Sequence, residues 1–208
     1  MAMKTFQAQS REMNERGFTI VELMIAMTIM LLVMSAIYST FQSQTRSRVV
    51  QQEIANMQQN LRAGMYYLER SIRMAGYDPR HSKGFGFVSN LPAPYSDRGA
   101  TTDGDDIALT IDNDEDKQID TNSNEQIAYR RNPLTNELEI LDIDDSGTWK
   151  AVAQNISAVS FTCLDEDNNV TTTPADIRVV QITLTATSSR TSVTSTRSIT
   201  SRVRCRNI

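Results

Sequence analysis

From Phe18 to Tyr38 the chain is apolar for 21 residues, interrupted by a few Thr and Ser and by one full charge, Glu22. About 20 such residues, coiled as a helix, cross the hydrocarbon of a bilayer. A carboxylate at mid-membrane costs roughly 2.5–3.5 kcal/mol, so Glu22 is expected to have a function. No Pro or Gly interrupts the chain between Phe18 and Ala63, and Gly64 is the one weak point before Gly76. From Val50 a second pattern begins: Val50, Ile54, Met57, Leu61, Met65, Leu68 and Ile72 recur in steps of three and four, one face of an α-helix. Gly76 suits the residue just past a helix end, and Asp78-Pro79 bars continuation. The pattern predicts a single helix over Phe18–Ala75, 58 residues and roughly 85 Å at 1.5 Å per residue. Its first half, 18–45, is apolar all round and calls for lipid or other helices. Its second half, 46–75, has one apolar stripe and calls for a sheet on one side.

Residues 76–104 read as a loop punctuated by Gly84, Gly86, Pro92, Pro94 and Gly99, with Phe85, Phe87 and Tyr95 as its anchors. Residues 105–208 read as strands. Asp106–Ile111 is short, and Glu125–Arg131 and Glu137–Asp142 form a hairpin around 132–136. Trp149–Ala153, Ser157–Leu164, Ile177–Thr187 and Arg197–Cys205 follow. Helix first and strands afterwards predicts an α+β domain with an antiparallel sheet laid on the helix. Two cysteines, Cys163 and Cys205, fall on apolar strand faces. An even, sparse count fits one disulfide, Cys163–Cys205, in an oxidising compartment; the alternative is two separate buried thiols. The sole histidine, His81, leaves no His-based triad or metal site, and no G-x-S-x-G or phosphate loop is present. No enzyme is expected.

Asp112, Asp114, Asp116 and Asp120 are spaced D-x-D-x-D-x-x-x-D. Alternating carboxylates in a tight loop can turn their oxygens onto one hard cation such as Ca²⁺, with the backbone carbonyl of Gln118 as a further ligand. An EF-hand loop needs Gly at its sixth position and Glu at its twelfth. Lys117 and Ser123 stand there instead. The bland alternative is a solvated acidic turn with Lys117 as partial counter-charge.

The stretch GFTIVELMIA, Gly17–Ala26, resembles the processing site of type IV pilins and pseudopilins. The resemblance implies cleavage after Gly17 by a prepilin peptidase, methylation of the new terminus at Phe18, and a role for Glu22 in filament assembly. It makes 1–17 a leader, polar throughout and unlike a secretory signal peptide. That leader carries Lys4, Arg11 and Arg16 against Glu12 and Glu15, or +1, so the formal charge of −4 leaves −5 on the rest. Such a balance excludes a nucleic-acid-coating surface. MAGYDP, DNDEDKQID, NISAVSFTCL and DIRVVQITLTA, in that order, resemble the PilW-like minor pilins, with the J-type pseudopilin of type II secretion a close relative. The resemblance implies the type IV pilin fold and a minor pilin that primes or caps pilus assembly. Its alternatives are a pseudopilin of a secretion or DNA-uptake system, or a calcium-dependent binding module on such a filament. The partners implied are other minor and major pilins, the peptidase and an inner-membrane assembly platform. The expected location is the bacterial inner membrane, with the domain in the periplasm, and then the pilus.

Overall fold

A computed structural model describes residues 17–81, 84–89, 104–120, 124–142, 147–188 and 195–208. The leader through Arg16 and residues 90–103, Tyr95 included, lie outside the described residues. One helix, α1 (Ile20–Met74), is followed by seven strands. They are β1 (Ile107–Thr110), β2 (Gln126–Asn132), β3 (Glu137–Asp142), β4 (Thr148–Gln154), β5 (Ile156–Leu164), β6 (Val179–Thr187) and β7 (Thr196–Arg204). The chain divides into two compact units, Met1–Arg48 and Val49–Ile208. The α+β layout is that of the type IV pilin fold.

In the first unit the helix is apolar on every side as far as Tyr38 and is uncovered among the described residues. Its side chains are exposed throughout, Leu31 at 70% and Phe18 at 81%. It is long and apolar enough to cross a membrane.

In the second unit the predicted stripe becomes the core. Met57, Leu61, Met65, Leu68 and Ile72 are buried. Val50 is exposed and Ile54 half-buried, so close packing sets in at Met57, about two turns later than the periodicity alone predicts. Each fully buried Leu or Ile contributes about 1.5–3 kcal/mol. The helix ends where expected. Gly76 has φ +73°, its N–H donates to Thr110 O at 3.2 Å, and an added Cβ would lie 2.6 Å from Ile208 Cγ1. Both the left-handed backbone and the close tail require glycine there.

The strands are antiparallel, as expected, and divide into two sheets: β1-β2-β3-β4 and β5-β6-β7. The break comes at one residue. Asn155, at φ +60°, separates β4 from β5. The next amide, Ile156 N–H, donates to Asn136 O at 2.8 Å beside the first sheet, while Asn155 O accepts from Thr187 N–H at 3.0 Å at the end of β6. Asn tolerates the left-handed region better than most residues, and the turn there sends the chain to a new ladder instead of a hairpin. On the middle strand β6, Val180, Ile182, Leu184 and Ala186 are buried and alternate with half-buried neighbours, as a period of two requires. β7 is the outer strand of this sheet.

Gly64 marks the seam between helix and sheets. A Cβ there would meet Ala153 Cβ and Leu138 Cδ2 at 3.2 Å, from the first sheet, and Leu184 Cδ1 at 3.3 Å, from the second. The mid-helix glycine therefore admits close approach of both layers.

Candidate functional site

Two places carry the chemistry singled out in the sequence. The first is the start of α1. Residues 17–19 are non-helical and α1 begins at Ile20. Thr19 Oγ1 accepts a hydrogen bond from Glu22 N–H at 3.3 Å, and Thr19 O accepts one from Leu23 N–H at 3.2 Å. Thr19 is thus the N-cap and Glu22 the third helical residue, the T-x-x-E pattern of a capping box. The sequence reading missed this cap, although the four-residue pattern was there to find it. Glu22 is exposed in the first turn, where a negative charge also suits the helix dipole. The Gly17–Phe18 bond falls before the cap, so the contacts of Thr19 that start the helix do not involve it. An added Cβ at Gly17 meets nothing within 4 Å; the fold itself makes no demand for glycine there.

The second place is the connection from β1 to β2. Ile111 N–H donates to Glu125 O at 2.9 Å, closing a long loop whose base is also held by Asp112 N–H donating to Tyr77 O at 2.7 Å. Glu125 is fully buried. Its Oε1 accepts from Asn113 N–H at 2.9 Å and Asp114 N–H at 3.3 Å, and its Oε2 accepts from Asp120 N–H at 2.9 Å. One carboxylate thereby fixes both arms of the loop. Glu115 and Lys117 have φ of +68° and +71°, tightening the turn between them. Asp116 N–H donates to Asp114 Oδ1 at 3.1 Å, and Gln118 N–H to Asp116 Oδ1 at 2.7 Å.

This folding brings Asp112, Asp114 and Asp116 together, with one carboxylate oxygen of each within 4.8 Å of the others. Asp120 stands outside that group. Asp112 is fully buried, and neither of its carboxylate oxygens has a hydrogen-bond partner among the described residues. Asp114 is drawn down by its hydrogen bond from Asp116. Desolvation and the charges of Asp116, Glu125 and Asp120 outweigh this, so its pKa is raised. The loop's ion pair, Arg80–Glu115 at 4.0 Å, involves a different carboxylate. Lys117 makes none with the cluster among the described residues.

The expected Cys163–Cys205 disulfide does not form; both cysteines are buried and reduced. The reason lies in strand order. Cys163 of β5 is registered with Val180 of β6, which faces Val203 of β7 on its other side. Cys205 follows β7, its N–H donating to Arg178 O at 2.9 Å. A whole strand intervenes, and two inter-strand spacings come to about 9–10 Å, beyond the roughly 7 Å that a disulfide spans between Cα atoms. Burial pushes the Cys205 thiol up to about 11, partly opposed by Arg178 and a backbone hydrogen bond.

A feature the sequence reading passed over is an arginine-lined cleft of about 620 Å³, formed by Arg73, Arg178, Arg202, Arg204 and Arg206 beside Val203 and Ile208. The alternation R-x-R-x-R at 202–206 signals it, since residues two apart share a strand face. Such a cleft suits carboxylates.

A capped rod of exposed apolar residues, entered through a Gly–Phe junction and continuing into a helix-on-sheet domain, defines a prepilin-type subunit. The prokaryotic N-terminal methylation motif matches residues 13–38, and the model of the family described as prepilin peptidase-dependent protein B matches residues 50–205. The chain belongs to the prepilin peptidase-dependent protein B family. Comparison with curated proteins and with solved structures gives no match.

Proposed function

We propose that the chain is a minor pilin, a structural and non-catalytic subunit that primes or caps assembly of a type IV pilus. The observation that carries this reading is the uncovered helix of the first unit, with Glu22 exposed in its capped first turn. Before assembly that helix sits in the inner membrane, with the domain on the periplasmic side. Prepilin peptidase removes residues 1–17 and Phe18 is methylated. The assembly platform then brings the subunit among other minor and major pilins, whose apolar helices replace lipid around its own.

In that setting Glu22 is surrounded by apolar side chains. An unpaired buried charge is strongly unfavourable, and pairing offsets much of the cost. The amine of Phe18 on a neighbouring subunit supplies the partner, and the pair fixes axial register.

Two variants test the reading in cells. Gly17→Ala should keep its leader, because the fold leaves room for the methyl group and the requirement lies with the peptidase; a normal mature N-terminus by mass spectrometry refutes the processing step. Glu22→Ala should be processed yet enter filaments poorly. Wild-type amounts in sheared filaments would remove the pairing role.

A further inference from the structure

We infer that the β1–β2 loop is a calcium site built on Asp112, Asp114 and Asp116. An extended chain holds alternate residues about 6.6–6.8 Å apart, whereas here three carboxylate oxygens lie within 4.8 Å of one another. Two oxygens bound to one Ca²⁺ at 2.3–2.6 Å are separated by at most about 4.6–5.2 Å. The spacing therefore fits one shared ion. Proximity of acidic groups alone is no site, but Asp112 adds an independent observation. It is fully buried, both of its oxygens lack a hydrogen-bond partner among the described residues, and one of them belongs to the group of three. A buried ionised carboxylate without donor or counter-ion is among the least favourable arrangements in a protein. A cation held jointly with Asp114 and Asp116 supplies the missing partner.

The donor set is all oxygen and acidic, which selects a hard divalent cation over zinc or copper. Asp114 and Asp116 are exposed, giving the ion an entry path and room for water ligands. The Gln118 carbonyl and Asp120 are the next oxygens along the same turn. Calcium tolerates six to eight ligands in irregular geometry, while magnesium demands a near-octahedral set; an irregular loop with one buried carboxylate favours calcium. Glu125 is not a ligand in this assignment. Its oxygens are occupied by the N–H groups of Asn113, Asp114 and Asp120, so it holds the loop in shape for the ion. Because Asp112 N–H also bonds Tyr77 O, a bound ion secures the loop against the turn that closes α1. This inference does not depend on the filament reading.

Calorimetric titration of the full-length chain in detergent micelles with CaCl₂, after chelation and dialysis, tests it. One ion per chain is expected, with Kd about 10⁻⁴–10⁻³ M, typical of extracellular modules. Tm should rise by roughly 5–10 °C at calcium a hundredfold above Kd. Asp112→Asn and Asp116→Asn should each weaken binding at least tenfold, and Glu115→Gln should not. Asp116 is exposed, so its variant keeps the test decisive if Asp112→Asn fails to fold. Absence of heat and of a Tm shift at 10 mM CaCl₂ overturns the proposal. So does unchanged binding in Asp116→Asn, or an equal response to MgCl₂.

Discussion

The hydroxyl of Tyr129, at the centre of the first sheet, lies 2.8 Å from the hydroxyl of Ser71 on α1. The tyrosine is 1% exposed, and its oxygen also lies 3.4 Å from Tyr67 O. This polar contact ties helix to sheet. Tyr129→Phe keeps the ring and strands the Ser71 hydroxyl. We expect a loss of about 1–2 kcal/mol in urea unfolding, the usual range for a part-buried hydrogen bond. An unchanged midpoint would show that water replaces the contact.

Stability should fall at alkaline pH. Burial raises Tyr129 above its ordinary 10.0, the Ser71 hydrogen bond and Arg70 partly opposing it and Tyr67 adding to it; burial likewise takes Cys205 from 9.0 to about 11. The folded state holds both protons more tightly than the unfolded chain. Their contribution is complete below pH 9 and is lost as pH rises through about 11. Urea midpoints at pH 8, 9, 10 and 11 should decline over that window. A Cys205→Ser variant should flatten the first part of the decline.

The two cysteines should titrate as thiols. Alkylation of the denatured, unreduced chain should add two groups by mass spectrometry, and the folded chain at pH 8 should react slowly. A mass two protons lighter with no alkylation would mean that β6 does not separate them.

Gly64→Leu should destabilise by about 1–3 kcal/mol through overpacking, because even a Cβ reaches Ala153 and Leu138 at 3.2 Å. The effect should appear as a lower denaturant midpoint with unchanged slope. Full retention of stability would mean that the two sheets part to admit the side chain.

Thr19→Ala removes the N-cap hydroxyl while leaving Glu22 in place. Caps of this kind contribute about 0.5–2 kcal/mol. Amide exchange of Glu22 in micelles should accelerate, with cleavage at Gly17 retained. Unchanged exchange would mean that the Thr19 hydroxyl does not cap the helix.

The helix was legible because its two halves differ in pattern: apolar on all sides, then apolar on one. The end at Gly76 was legible because one residue type satisfies its backbone. Strand positions followed from alternation to within a few residues. Alternation, however, reports the face a side chain occupies and not the strand beside it, which is why Cys163 and Cys205 looked like partners. Asn155 gave no advance sign of the break between ladders, since Asn serves ordinary turns as readily. In the acidic loop the spacing named the three grouped carboxylates, but the reading also included Asp120, and it overlooked Glu125, which looks like the start of a strand.

β7 leaves one side of its backbone without a pairing strand among the described residues. Such a rim is a template for cross-β growth. Arg197, Arg202 and Arg204 stand exposed along it, so two copies meeting rim to rim bring like charges face to face. Edge-to-edge pairing through β7 is in this way opposed by electrostatic repulsion, and the amyloid-like route is guarded.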